Sequence, residues 1–356
     1  MRRGSAWIAT LVLALVAAPA AARGQAATEA SAEKDKSGSV GAAAAAVFPG
    51  LVVPGVGHFV LGDKDAGKRF LIADSIGLGL IAVGFGGMAG TGGNDRLAPG
   101  FLAQTVAGMS LLTMLWLSDV IGSAHGEKPW PLPWEPKGSL SLSAGYQGLF
   151  GGQVDFHHGI FLDATWRYAG FFANPWGMVD PSKSFYGAGA RLGYLLWRDR
   201  DDPVTRISLN ASVGHRRYRF DRYSSTTGEV HGELRFNLSH LTPTLRNAYL
   251  LGRVGAGVEG FAYDGAPFRG SDLSPVLVLE FGGGVQVSER VGVELVYRNR
   301  KDELPGGLII AGIFDSYLGF IELNGRVALT DRWAILGGLR WGTGLMPWIC
   351  VESQLF

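Results

Sequence analysis

The chain has 356 residues, 47% hydrophobic and only 18% charged, with a formal net charge of +1. That balance excludes the basic surface a nucleic-acid binder needs, and a single cysteine, Cys350, excludes an internal disulfide framework. A lone thiol of this kind reads as buried or lipid-facing rather than catalytic.

Export is the first expectation in chain order. Met1-Arg2-Arg3 is a basic start, residues 6–16 are apolar, and Ala20-Ala21-Ala22 offers a small-residue cleavage site, so residues 1–22 read as a signal peptide. A membrane anchor is the alternative, but the stretch is short for one. No cysteine follows the signal, so lipoprotein processing is excluded. Residues 23–40, rich in Ala, Glu, Lys, Ser and Gly and lacking aromatics, read as a disordered linker.

Residues 41–126 are apolar and helical in pattern. Two stretches, about 69–88 and 101–121, are long enough to cross a bilayer. Asn94-Asp95-Arg96 and Pro99 interrupt them, which predicts a helical hairpin. Asp74 in the first and Gln104 and Asp119 in the second make both spans marginal. That matters for sorting, because a strongly apolar helix would be halted in the inner membrane.

The run Pro54-Gly55-Val56-Gly57-His58-Phe59-Val60-Leu61-Gly62, with Gly67 after a charged turn, stands just before the first of these helices. It resembles the P-G-x-G-x-F-Y-x-G opening of a widespread family of small bacterial two-helix membrane domains. Ser118-Asp119-Val120-Ile121, with Ala124 beyond, resembles the close of that hairpin. Val60 departs from the family pattern, which has Tyr there. The resemblance covers about 75 residues of the chain. It implies a hairpin packed through Pro54, Gly55, Gly57, His58, Phe59, Gly62 and Gly67, and no settled reaction. From the residues themselves, the glycines allow tight turns and close backbone approach, and His58 has no second metal ligand near it in sequence.

Two phosphate-site lookalikes carry no chemistry. Residues 62–69 have P-loop spacing, but Arg69 replaces the Ser or Thr that Mg²⁺ requires and no strand precedes. Gly255-Ala256-Gly257-Val258-Glu259-Gly260 matches G-x-G-x-x-G, yet it is expected to end a strand and lead into a polar loop rather than a helix. A chain with 54 glycines produces such matches by chance.

After a Pro/Trp linker at 127–137, residues 138–356 alternate apolar and polar positions in run after run. Ile160, Leu162, Ala164, Trp166 and Tyr168 oppose Asp163, Thr165 and Arg167. Ile207, Leu209, Ala211 and Val213 oppose Ser208, Asn210, Ser212 and Arg216. Val291, Val293, Leu295 and Tyr297 oppose Gly292, Glu294 and Arg298. A period of two with glycine throughout and aromatics at segment ends is the signature of a transmembrane β-barrel. Short connections near 198–203, 239–244, 288–290 and 330–332 alternate with longer ones at about 169–184, 218–228, 261–272 and 299–314, as periplasmic turns alternate with outer loops.

The fold expected is therefore all-β: an antiparallel transmembrane β-barrel of 10–12 strands with an N-terminal helical hairpin. The segmentation gives eleven runs, whereas single-chain bacterial barrels are even-numbered. Either residues 140–146 lie outside the barrel or one strand is missed. A soluble sandwich or lipocalin-like barrel also alternates, with its apolar face inward. Against it stand the small residues of the polar face, the aromatic segment ends and the scarcity of lysine: from residue 138 onward there are 19 Arg and 2 Lys against 21 Asp and Glu. At the C-terminus Phe356 is the expected last residue of a barrel, but Glu352 and Gln354 stand where apolar residues are usual.

The polar face, taken as inward, supplies the candidate site: Asp163, Arg167, Arg191, Arg216, Glu233, Arg235, Arg253, Glu259, Glu280, Glu294, Arg298, Glu322, Arg326 and Arg340. In a narrow lumen these charges meet as hydrogen-bonded ion pairs that close or constrict it, or they line a small pore that filters solutes by charge. None of the seven histidines, His58, His125, His157, His158, His215, His231 and His240, begins the His-x-Ser-Asn pattern of lipid-modifying barrels. The expectation is a non-enzymatic outer-membrane protein without cofactor or metal. Its partners are membrane lipid, the outer-membrane assembly machinery and small solutes, not nucleic acid. The competing class is an inner-membrane hairpin carrying a periplasmic β-domain that acts as a binding module.

Overall fold

The computed structural model describes residues 39–92, 98–125, 139–151, 158–182, 184–202, 204–219, 222–240, 248–263, 270–299 and 319–355. The expected signal peptide, nearly all of the expected 23–40 linker, Asn94-Asp95-Arg96, the expected 127–137 linker, His157 and Phe356 lie outside the described residues. By packing, the chain divides into a helical unit and a β unit.

In the helical unit, α1 (Val40–Val47) starts where the Ser39 hydroxyl accepts from Ala42 N at 3.0 Å. A short α2 (Val56–Val60) follows. Then α3 (Lys64–Gly90) is capped by Asp63, whose carboxylate accepts from Ala66 N at 3.1 Å. The residues of the P-loop lookalike thus make a capped helix start. The last helix, α4 (Ala98–His125), carries Pro99 in its first turn, where proline is tolerated. Both long helices have the length and composition to cross a membrane. They pack through glycine: a Cβ at Gly77 would stand 2.7 Å from the Leu112 side chain, and one at Gly108 2.5 Å from the Gly77 carbonyl oxygen.

The β unit is one antiparallel sheet. Its strands are β1 (Leu140–Gly148), β2 (Phe150–Gly151), β3 (His158–Tyr168), β4 (Phe171–Val179), β5 (Phe185–Arg198), β6 (Arg206–Tyr218), β7 (Tyr223–Asn237), β8 (Ala248–Tyr263), β9 (Gly270–Gln286), β10 (Val291–Arg298), β11 (Phe320–Ala328), β12 (Trp333–Trp341) and β13 (Gly344–Gln354). With β2 set aside, each pairs with its sequence neighbour, and β1 closes on β13 from Ser141↔Gln354 to Gln147↔Trp348. The two-residue β2 only extends the β13 edge, so the closed barrel has twelve strands.

The missed strand is β4. Residues 169–184 form no long loop. Ala169 (φ 48°) and Gly170 (φ 87°) make a two-residue turn with both residues left-handed, as a tight hairpin demands, and β4 then runs to Val179. Residues 140–146 belong to β1, inside the barrel. The expected loop at 218–228 is likewise mostly strand, since only residues 219–222 separate β6 from β7. The glycines of 255–260 lie within β8, with strand continuing to Tyr263.

Burial gives the alternation its direction. Leu162 is 61% exposed, Leu192 59% and Val213 54%, while Ser208 is 6% exposed, Asn210 2% and Glu322 2%. Apolar side chains point out and polar ones in, the reverse of a soluble barrel. Aromatics stand at the strand ends on the outer surface, among them Trp166, Tyr168, Phe171, Trp197, Trp333 and Trp341.

Candidate functional site

The inward glycines are bays for inward aromatics. A Cβ at Gly193 would fall 2.0 Å from the Phe172 ring, one at Gly189 2.8 Å from Trp176, one at Gly145 2.5 Å from Phe161 and one at Gly338 2.6 Å from Trp348. Large rings fill space that the neighbouring strand leaves empty, and the lumen is packed rather than hollow over this part.

A chain of ion pairs then crosses consecutive strands from β6 to β12. Glu233 meets Arg253 Nε at 2.7 Å and Arg235 Nε at 3.0 Å, with Arg206 at 4.0 Å. Arg253 Nη1 donates to Glu280 at 2.6 Å. Arg298 lies 3.4 Å from Glu280 and 2.8 Å from Glu322, and Arg340 Nε donates to Glu322 at 2.9 Å. Arg326 pairs separately with Glu352 on β13 at 2.7 Å. Opposite charges at these distances offset the burial of carboxylates that are almost wholly removed from solvent.

At the barrel end where β4 and β6 finish and β5 and β7 begin, the lumen is apolar. Leu149, Phe185, Tyr218 and Met346 are 0 to 2% exposed, and Met178 and Tyr223 pack on them. Beside them Asp180 accepts from Ser182 N at 3.0 Å and from the hydroxyls of Ser182 and Ser184, with His158 Nε2 3.7 Å away. Burial opposes ionisation of Asp180, but the serine hydrogen bonds outweigh it and hold the carboxyl below the usual carboxylate range.

At the opposite end a cavity of about 670 Å³ opens between β3 and β8. Asp163, Arg167, Arg191, Glu233, Arg235 and Arg253, all named by the alternation, line it together with Arg198 and Arg206. Glu280, Arg298, Glu322, Arg326 and Arg340 are placed in the ion pairs. Arg216, Glu259 and Glu294 share the inward face, and Glu259 accepts from the Thr227 hydroxyl at 3.2 Å.

Sequence reasoning missed Arg198, Arg206, Glu229 and Glu352. A register shift between Leu195 and Trp197 puts both Leu196 and Trp197 on the lipid side, 57% and 46% exposed, and so returns Arg198 to register with inward Arg206. Strict alternation cannot anticipate that step. Glu352, out of place in an apolar terminal pattern, is inward, and Ile349, Val351 and Leu355 face out. Cys350 is buried on the inward face.

The helical unit explains its own motif. Asp119, fully buried, accepts from Gly55 N at 2.8 Å and Gly57 N at 3.3 Å through Oδ2, while His58 Nδ1 lies 2.6 Å and Ser123 Oγ 3.3 Å from its Oδ1. A Cβ at Gly57 would stand 2.1 Å from Ser123 Oγ, and one at Gly67 2.7 Å from the Phe59 ring. The two halves of the motif are therefore one buried polar knot around a carboxylate. No group of three or more metal-ligating side chains occurs among the described residues.

These features define a transmembrane β-barrel of twelve strands with a polar lumen. Solved structures similar to the chain include the KdgM porin in complex with disordered oligogalacturonate (12% identity, TM-score 0.41, 61% of this chain and 99% of that one). The Acinetobacter baumannii outer membrane protein Omp33 is 7% identical, with a TM-score of 0.35 and coverage of 61% and 98%. The translocator domain of the autotransporter NalP from Neisseria meningitidis is 12% identical, with a TM-score of 0.39 and coverage of 63% and 91%. The closed strand pairing, not these distant likenesses, defines the fold. No family model and no curated protein matches the chain, so the resemblance of the helical motif to the two-helix family gains no support there.

Proposed function

We propose that this chain is a non-enzymatic bacterial outer-membrane β-barrel whose lumen is closed by its own side chains, with the helical hairpin as an accessory membrane-associated unit. The observation that carries the reading is the inverted burial: apolar side chains cover the outside, and the carboxylates and guanidinium groups lie inside. A periplasmic domain tethered to the inner membrane would have to expose that apolar surface to water. Closure is favoured over an open channel by the apolar cluster at one end and the ion-pair chain across the middle. Assembly then requires the outer-membrane insertion machinery and contact with lipid, and the reading calls on no cofactor.

Fractionation tests the reading. Recovery in the outer-membrane fraction, with faster gel migration before boiling than after, is the expected result. Co-purification with inner-membrane markers and no heat-dependent shift would overturn it.

A further inference from the structure

The inward charge is near even over the barrel as a whole but strongly one-sided at the cavity. Six arginines line it, Arg167, Arg191, Arg198, Arg206, Arg235 and Arg253, against two carboxylates, Asp163 and Glu233. Both carboxylates are engaged. Glu233 is shared among Arg206, Arg235 and Arg253, and Asp163 accepts from the Asn174 side chain at 3.3 Å. The carboxylates nearest behind this wall, Glu280 and Glu352, are paired as well, with Arg253 and Arg298 and with Arg326. Nη1 of Arg167 and Nε of Arg191 are buried with no hydrogen-bond partner among the described residues. Leaving a buried charged donor unmatched is costly, and an oxygen acceptor from outside would remove the cost.

We infer that this vestibule binds a small polyvalent oxyanion, a compound bearing carboxylate or phosphate groups. Guanidinium groups match both chemistries through paired N–H donors on a planar fork. The volume suits a small solute, since ligand pockets commonly run to about 300–1,000 Å³. Access is from the end of the barrel that carries the Ala169–Gly170 turn and both termini of the sheet, because the apolar cluster occupies the other end. In the arrangement usual for bacterial barrels that end faces the periplasm. The inference rests on the barrel reading above and adds a ligand class to it.

Isothermal titration of the folded mature chain in detergent tests it, with inorganic phosphate in one series and citrate in another, both at constant ionic strength against chloride. Saturable binding of either is expected, and the series that responds distinguishes phosphate from carboxylate. Arg167→Gln combined with Arg191→Gln should weaken binding about tenfold or more, as expected for losing charged hydrogen bonds. Arg198→Gln, at an exposed side chain whose loss the fold should tolerate, should weaken it in the same direction and decides the matter where the double variant fails to fold. A heat-modifiable parent chain with no saturable binding of either probe overturns the inference alone, as does unchanged binding in the variants. A parent chain without heat-modifiable migration overturns the barrel reading and this inference together.

Discussion

Arg253 sits between two carboxylates, 2.7 Å from Glu233 and 2.6 Å from Glu280, with its side chain 9% exposed. A buried pair adds little net stability, because desolvation offsets much of the attraction, yet removing one partner strands the other charge at a cost of about 3–5 kcal/mol. Arg253→Gln should therefore destabilise the refolded barrel by about that much in denaturant titrations. Adding Glu280→Gln should restore part of the loss. Arg340→Gln, at a side chain 30% exposed, should cost about 1 kcal/mol or less. Equal losses at the two arginines would show that the network does not weigh on stability through burial. These residues were legible in the sequence because parity alone puts a charged residue inside. Arg198 was not, since one bulge reverses the parity, and neither was Glu352, whose partner Arg326 lies two strands away in the chain.

A strand is legible only while its two faces differ, and β4 fails that condition. Phe172, Trp176 and Met178 fill the inward face with residues as bulky and apolar as those outside, and Pro175 interrupts the middle. The pairing with β3 lapses there, from Asp163↔Trp176 to Trp166↔Ala173. Asn174 Nδ2 bridges the gap by donating to the Ala164 carbonyl at 3.0 Å and to the Thr165 hydroxyl at 2.9 Å. The missing twelfth strand is thus also the strand whose aromatics, Phe172 and Trp176, explain the inward glycines of β5. Gly189→Ala should cost about 1–3 kcal/mol, as overpacking does, because its new methyl would meet the Val213 carbonyl oxygen at 2.5 Å and Trp176 at 2.8 Å. Gly62→Ala is no control, as its φ is positive. Gly228→Ala, with nothing within 4 Å, should be nearly silent in the same unfolding assay. In the helical unit the sequence named the motif residues, but their convergence on Asp119, about 60 positions away, lies in tertiary contact and not in local pattern.

For the whole molecule, the alternation fixed the existence of a barrel, whereas its sense depended on which face the folded sheet exposes. Three zones share the lumen: an apolar cluster, a belt of ion pairs and a basic cavity. The cluster is the zone that sequence reasoning did not foresee, because Phe185, Tyr218 and Met346 come from strand ends far apart in the chain. Phe185→Ala with Met346→Ala should raise conductance in planar bilayers above that of a nearly silent parent. Equal conductance in both would place the seal at the ion-pair belt instead. A vessel with one mouth fills and empties through the same door, so its occupancy follows the concentration of solute on that side alone. With the lumen closed as proposed, a gradient across the membrane would do no work on its contents, and the barrel would answer to one compartment rather than connect two.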